Sequence, residues 1–265
     1  MEELMEEPVD IKEELMEDLV EVKAKEYLDR LRDILTFIET EQAEPISTAA
    51  KKLADVIRQD GIVYVFGTGH SHCAAEDLVS RAGGLAAIDL IYDPASAGEF
   101  GMAKAGYMER LVGVGQTTMR FSGISEKDAL VVVSNSGLNN EPVEAALYGR
   151  ELGVPVIVIT SVSYSSSHRT RHSGGKKLMD LADVVIDTGV PFPDAMIKIK
   201  GLEQPMGPAS TAVSIIVGHV LCLSIASSLL QQGARPDVYF SGNLDSAEEH
   251  NLGLWKKYRG RVRAL

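Results

Sequence analysis

Val63-Tyr64-Val65-Phe66-Gly67-Thr68-Gly69-His70-Ser71-His72 passes from an apolar run into two glycines and then into polar residues. The run Ile62 to Phe66 is rich in β-branched and aromatic side chains and is bounded by glycine on both sides, which is the pattern of a central parallel strand buried on both faces. A helix is expected to begin near Cys73, and backbone amides at such a helix start point outward and attract anions. A dinucleotide-binding turn would place a third glycine at His72, and a Walker A loop would end in Gly-Lys followed by Ser or Thr. Neither pattern fits, and Gly174-Gly175-Lys176-Lys177 also fails the second.

A second strand-to-helix junction lies in Leu130-Val131-Val132-Val133-Ser134-Asn135-Ser136-Gly137-Leu138-Asn139-Asn140-Glu141-Pro142. It sets two hydroxyls, a conformationally permissive glycine and an amide side chain between a buried strand and a helix with proline in its first turn. Hydroxyls and backbone amides without a lysine suit a phosphate monoester that has to be held and then released.

Outward from these junctions, Val156 to Ile159 and Val184 to Ile186 read as further buried strands, and Leu85 to Leu90 as a weaker fifth. Strands alternating with helices imply right-handed crossovers and a parallel sheet covered by helices on both faces. Apolar residues at helical spacing from Ile11 to Ile38 predict an amphipathic helix, continuous or broken in two, and another is expected from Ile46 to Arg58. Tyr92 to Ser125 is too long for a simple connection and reads as an insertion with a helix around Tyr107 to Val112. Ser210 to Leu230 is apolar almost all round and predicts a buried or interface helix, and a last helix is expected over Leu244 to Tyr258. The resulting division is a helical segment over 1–45, the main domain over 46–235 and a helical tail over 236–265.

The chain has 265 residues, a net charge of −12 and 24% charged residues, an ordinary globular composition without the clustered Lys and Arg that a nucleic-acid backbone demands. The basic residues Lys256, Lys257, Arg259, Arg261 and Arg263 read as a helix end. Met1 to Asp18 is acidic, unlike a secretory signal, and no stretch reaches the roughly eighteen uninterrupted apolar residues of a membrane span. Only Cys73 and Cys222 are present, which gives no disulfide framework and suits a reducing compartment. A cytoplasmic protein without nucleic-acid or membrane partners is expected.

Ser134-Asn135-Ser136-Gly137-Leu138-Asn139-Asn140-Glu141 resembles the Ser-x-Ser-Gly-x-Thr-x-Glu phosphate loop of the sugar isomerase (SIS) domain family. Asn139 stands where that family has threonine, and Ser71 matches the serine of its Gly-x-Gly-x-Ser first loop. The resemblance covers about Ala49 to Leu230. With Gly242-Asn243-Leu244 and His250-Asn251 the whole chain is most similar to SIS-domain proteins described as phosphoheptose isomerases. It implies a flavodoxin-like three-layer αβα sandwich with a central five-stranded parallel sheet and extra N-terminal helices, assembled as a homodimer or homotetramer. It also implies an aldose–ketose isomerase of a phosphorylated sugar or amino sugar that needs no cofactor. An etherase or lyase acting on a phosphorylated amino sugar, or a non-catalytic sugar-phosphate sensor, are its alternatives.

The expected phosphosugar-binding residues are Gly67, Gly69, His70, Ser71, Ser134, Asn135, Ser136, Gly137 and Asn139, with Ser210 added because it opens a helix after Pro208. For proton transfer His250, flanked by Glu248 and Glu249, and Glu99, in the insertion, are the candidates. His70, His72, Cys73, His168 and His172 do not fix a full ligand set by spacing, so no metal is expected. Cys73 is expected to pack under the sheet, and His219 to be a satisfied core or interface histidine.

Overall fold

The structure, a computed structural model, describes residues 13–263. Helices α1 (Glu13–Glu41) and α2 (Ala43–Arg58) lead into strand β1 (Val63–Gly67) and the short helix α3 (His70–Glu76). Strand β2 (Ile88–Ile91) is followed by three short helices, α4 (Pro94–Ala97), α5 (Met102–Met108) and α6 (Val114–Ser122). Then come β3 (Ala129–Val133), α7 (Asn140–Leu152), β4 (Val156–Thr160), α8 (Val162–Ser167) and β5 (Val184–Asp187). A hairpin of β6 (Ala195–Ile197) and β7 (Met206–Pro208) precedes α9 (Ser210–Gln231), and α10 (Ala247–Tyr258) closes the chain.

The main sheet runs β2-β1-β3-β4-β5 with every neighbouring pair parallel, as the unbroken apolar runs predict. Alternate side chains of one strand enter opposite layers. Val63, Val65, Val131, Val133, Ile157 and Ile159 pack with α1, α2, α3 and α9. Tyr64, Phe66, Leu130, Val132 and Val158 pack with α6, α7 and α10. Burial on both faces is what makes β1, β3 and β4 almost wholly apolar, Thr160 at the end of β4 being the polar position.

Four local readings change. Within the described residues α1 is unbroken from Glu13 to Glu41, while Ile11 and most of the acidic start lie outside them. Strand β2 begins at Ile88 because Leu85 pairs antiparallel with Val238 and the Ala86 amide donates to Asp237 O. The helix expected around Tyr107 to Val112 is displaced: α5 ends at Met108 and the chain turns until α6 opens at Val114, and Gly98, Gly101 and Gly113, all at positive φ, bound the insertion's helices. The β6–β7 hairpin, three residues to a strand, had no visible signal.

The insertion is fixed to the sandwich through α6. Gly115 lets α6 lie against α7, for a Cβ there would fall 2.2 Å from Glu141 O. The Glu144 carboxylate accepts the amides of Gly113 at 2.7 Å and Gly115 at 2.9 Å, capping α6 with a charge of the sign its dipole favours. By length and composition α9, with a mean hydropathy of 2.2, would suffice to cross a membrane, but 44% of that window is buried and it packs on α2 and α3. Ile216, Leu223 and Leu230, seven residues apart on one face, remain exposed.

Candidate functional site

Strand order reverses between β1 and β3, and in open parallel sheets ligands bind at the carboxyl ends of strands beside such a reversal. The loops after β1 and β3 are the two singled out by sequence, so the topology sets them side by side.

In the first loop Gly67 is required by close approach, since a Cβ would lie 2.5 Å from Ser71 O. Three of its amides, however, are already used. Gly69 N donates to Ser96 O at 2.7 Å, Ser71 N to Thr68 O at 3.0 Å and His72 N to Gly69 O at 3.1 Å. This loop therefore keeps fewer free amides than expected of it, those of Thr68 and His70 among the described residues, and α3, seven residues long, adds little dipole. It also presents side chains. His70 and Ser71 line a cleft of about 430 Å³ together with Glu109, Asp194 and Thr211.

The second loop is built the other way. Gly137 has φ +62°, the left-handed region, with Thr160 Oγ1 and Leu178 Cβ 3.1 and 3.2 Å from where a Cβ would be. Its carbonyls are turned into the protein: Asn135 O accepts Ser161 N, Gly137 O accepts Leu178 N, and Leu138 O accepts both Arg171 N and Thr170 Oγ1. Among the described residues the amides of Ser136, Leu138 and Asn139 have no hydrogen-bond partner, and neither has the Ser136 hydroxyl. Ser134 Oγ accepts the Gly137 amide at 3.3 Å and closes the turn from inside. Asn139 does not cap α7 with its side chain; its Oδ1 accepts Arg171 Nη1 at 3.0 Å. Arg171, in the serine-rich stretch after β4, thus brings to this loop a cation that no motif had announced.

The start of α9 is taken by the chain itself. Asp194 accepts Ala209 N at 2.9 Å and Ser210 N at 2.8 Å with one oxygen and the Ser210 hydroxyl at 2.5 Å with the other. A carboxylate thus stands at the helix start where an external anion was expected, while Ser210 lines the same cleft as His70 and Ser71.

The two candidates for proton transfer lie in different places. His250 Nε2 bonds Val238 O at 2.9 Å and its ring stacks on Phe240. Because Val238 pairs with Leu85, ahead of β2, His250 sits by the amino ends of the strands, opposite both loops. Glu99 is exposed and lies against Tyr92, whose phenol is pushed up to about 12, first by the hydrogen bond to Glu99. Glu99 and Tyr92 line another cleft with Glu76, Asp93 and Phe121, at the carboxyl end of β2.

Two glutamates the sequence reading left without a role are placed between the loops. Glu109, at the end of α5, accepts Thr68 Oγ1 at 2.8 Å with Oε2, and its carbonyl accepts Glu141 N at 3.0 Å. Glu141 is fully buried; Ser96 Oγ donates to its Oε1 at 2.8 Å, while Oε2 has no partner among the described residues. Burial pushes its carboxyl from 4.5 to about 7, against the Ser96 hydrogen bond and with added repulsion from Asp93, Glu109 and Glu144. Ser96 also receives Gly69 N, so Gly69, Ser96 and Glu141 form one chain of contacts from the first loop to the second. The position of Glu141 in the quoted motif was the one available signal.

Cys73 is exposed rather than packed under the sheet, since His72 on the same short helix takes the inward position at 5% exposure. Desolvation lowers the His72 pKa, with Glu76 and Glu99 opposing. His219 is satisfied by Asp77 at 2.7 Å. Among the described residues no group of three His, Cys, Asp or Glu is arranged to hold a metal ion.

Known proteins share both sequence and fold with this chain. The family model of the SIS domain matches residues 26–161. A UPF0309 protein of Brucella anthropi is 40% identical over 235 residues, 89% of this chain and 96% of its own. One from Listeria innocua is 36% identical over 240 residues, 90% and 97% of the two chains. Among solved structures, the phosphoheptose isomerase of Neisseria gonorrhoeae superposes with a TM-score of 0.53 at 18% identity, covering 80% of this chain and 99% of its own. That of Francisella tularensis gives 0.51 at 18% identity, with 77% and 96% covered.

Proposed function

Because this chain belongs to the SIS-domain family, we propose that it binds a phosphorylated sugar, with the phosphate on the loop Ser134 to Asn139, and interconverts its aldose and ketose forms. The observation that carries this reading is the second loop itself. It turns its carbonyls inward, leaves the Ser136, Leu138 and Asn139 amides unpaired, and holds Arg171 against Asn139. Amides converging beside a guanidinium are what a phosphate monoester needs, and they give it up again more readily than a lysine cage would.

Isomerisation proceeds when a base takes the proton from the carbon beside the carbonyl of the opened sugar and the same proton, or one from solvent, is returned to the neighbouring carbon. No electron acceptor enters such a step. The phosphoheptose isomerases that share this fold support the choice of reaction class as an analogy of fold. The first loop, through His70 and Ser71, faces the sugar body. A homodimer or homotetramer is part of the proposal, because the exposed stripe Ile216, Leu223 and Leu230 on α9 is of the kind that subunit contacts cover.

Calorimetric titration with fructose 6-phosphate and arabinose 5-phosphate, against the unphosphorylated sugars, tests the reading. The phosphates are expected to bind and the free sugars not. Ser136→Ala is expected to weaken binding by about 1.5 to 3 kcal/mol, the size of a hydrogen bond to a charged group. Unchanged affinity in that variant removes the phosphate from this loop.

A further inference from the structure

Neither Glu99 nor His250 lines the cleft that His70 and Ser71 open, and the insertion supplies a carboxylate that does. We infer that Glu109 is the group that moves the proton, an assignment that rests on the isomerase reading above.

Three observations converge on Glu109. It lines the cleft that His70 and Ser71 open, so its carboxylate is accessible to a ligand held there. Thr68 donates to Oε2 at 2.8 Å, which orients the carboxylate, and no other hydrogen bond or ion pair engages its second oxygen, Oε1, among the described residues. Its backbone is fixed by both neighbours of the site. The Glu109 carbonyl holds the Glu141 amide at the start of α7, and the adjacent Arg110 carbonyl accepts Asn140 Nδ2 at 2.5 Å. Glu109 is thereby tied to the first loop through its side chain and to the second through its main chain. A sugar whose phosphate rests on Ser134 to Asn139 and whose body extends to His70 passes this carboxylate.

In the step assigned to it, Glu109 Oε1 forms an O–H bond as the C–H bond beside the carbonyl breaks, and the electron pair moves into a carbon–carbon double bond with negative charge on the carbonyl oxygen. The proton then leaves Glu109 for the neighbouring carbon while the hydroxyl proton passes between the two oxygens, so the products balance the reactants. Thr68 acts as a positioning residue, holding Oε2 so that Oε1 faces the ligand.

The test is the exchange of the carbon-bound proton of fructose 6-phosphate and arabinose 5-phosphate with deuterated water, followed by proton resonance, alongside their calorimetric affinities. Wild type is expected to bind and exchange. Glu109→Gln is expected to lower exchange by about a hundredfold or more, the scale of general base catalysis, with affinity kept within about threefold. Thr68→Val leaves the carboxylate in place and is expected to lower kcat with KM unchanged. Exchange in Glu109→Gln at the wild-type rate overturns the assignment, as does a loss in Glu99→Gln alone, and so does wild type that binds without exchanging. If wild type binds neither phosphate, the phosphosugar reading itself fails and the role of Glu109 falls with it.

Discussion

Replacing Glu141 by glutamine should change how the stability of the protein depends on pH, and by an amount the structure lets one work out. In the folded chain this carboxyl is fully buried and titrates near 7, whereas in the unfolded chain it titrates near 4.5. The folded state therefore prefers the protonated acid. Below about pH 4.5 both states are protonated and the group costs nothing. Between that pH and about 7 the unfolded chain ionises freely while the folded one resists, and stability falls by about 1.4 kcal/mol per pH unit. The full penalty, present above pH 7, comes to about 3 kcal/mol for a rise from 4.5 to about 7. Glutamine cannot ionise and escapes this slope. It brings a buried N–H to the place of Oε2, an offset of about 1 to 3 kcal/mol that does not vary with pH. The informative quantity is then the difference in unfolding free energy, variant minus wild type, from urea transitions at pH 5, 6, 7 and 8 and one fixed protein concentration. It should climb by about 2.5 kcal/mol across that range, the first part of the penalty being already present at pH 5. Parallel profiles would refute the reasoning, for they would mean that Glu141 is charged in the folded state throughout.

Two more outcomes follow from named contacts. Asp194→Ala removes the acceptor of Ala209 N, Ser210 N and the Ser210 hydroxyl, and should cost about 1 to 2 kcal/mol as the loss of a helix cap, read as a lower urea midpoint; an unchanged midpoint would dismiss the cap. Leu223, 69% exposed on α9, should lie in a subunit contact: light scattering is expected to give at least twice the 28.6 kDa chain mass for wild type and a smaller species for Leu223→Glu, and a monomeric wild type would argue against the assembly.

The fold was readable from the sequence because its strands are buried on both faces. In such strands nearly every position is apolar, so β1, β3 and β4 stood out as runs without needing alternation. The same clarity failed at β2, an edge strand of four residues whose upstream neighbours Leu85 and Ala86 are just as apolar and buried, but against the chain's C-terminal part. Burial is written in composition; the partner that supplies it is not. The insertion differs from its expectation for a related reason, since glycines at 98, 101 and 113 bound helices there only because they adopt positive φ, and nothing local distinguishes them from Gly106, which lies inside α5.

The same distinction governs the site. Sequence could identify groups able to bind an anion, but not which of them the protein uses for itself. The amides of Gly69, Ser71 and His72 are used within the first loop and its neighbour Ser96, and Ser210 is used by Asp194, sixteen residues away along the chain across a hairpin without signal. The loop after β3 keeps its donors, because its carbonyls are the groups drawn inward, by Ser161, Arg171 and Leu178. The consequence is a polarised site. Anion donors and Arg171 gather at the second loop, while Glu109 and Asp194 face the cleft at the first. A phosphate placed by the first loop would meet two carboxylates, so like-charge repulsion turns a sugar phosphate with its phosphate toward Ser136 and its uncharged, reactive end toward Glu109. That orientation is the one the assignment of proton transfer to Glu109 calls for.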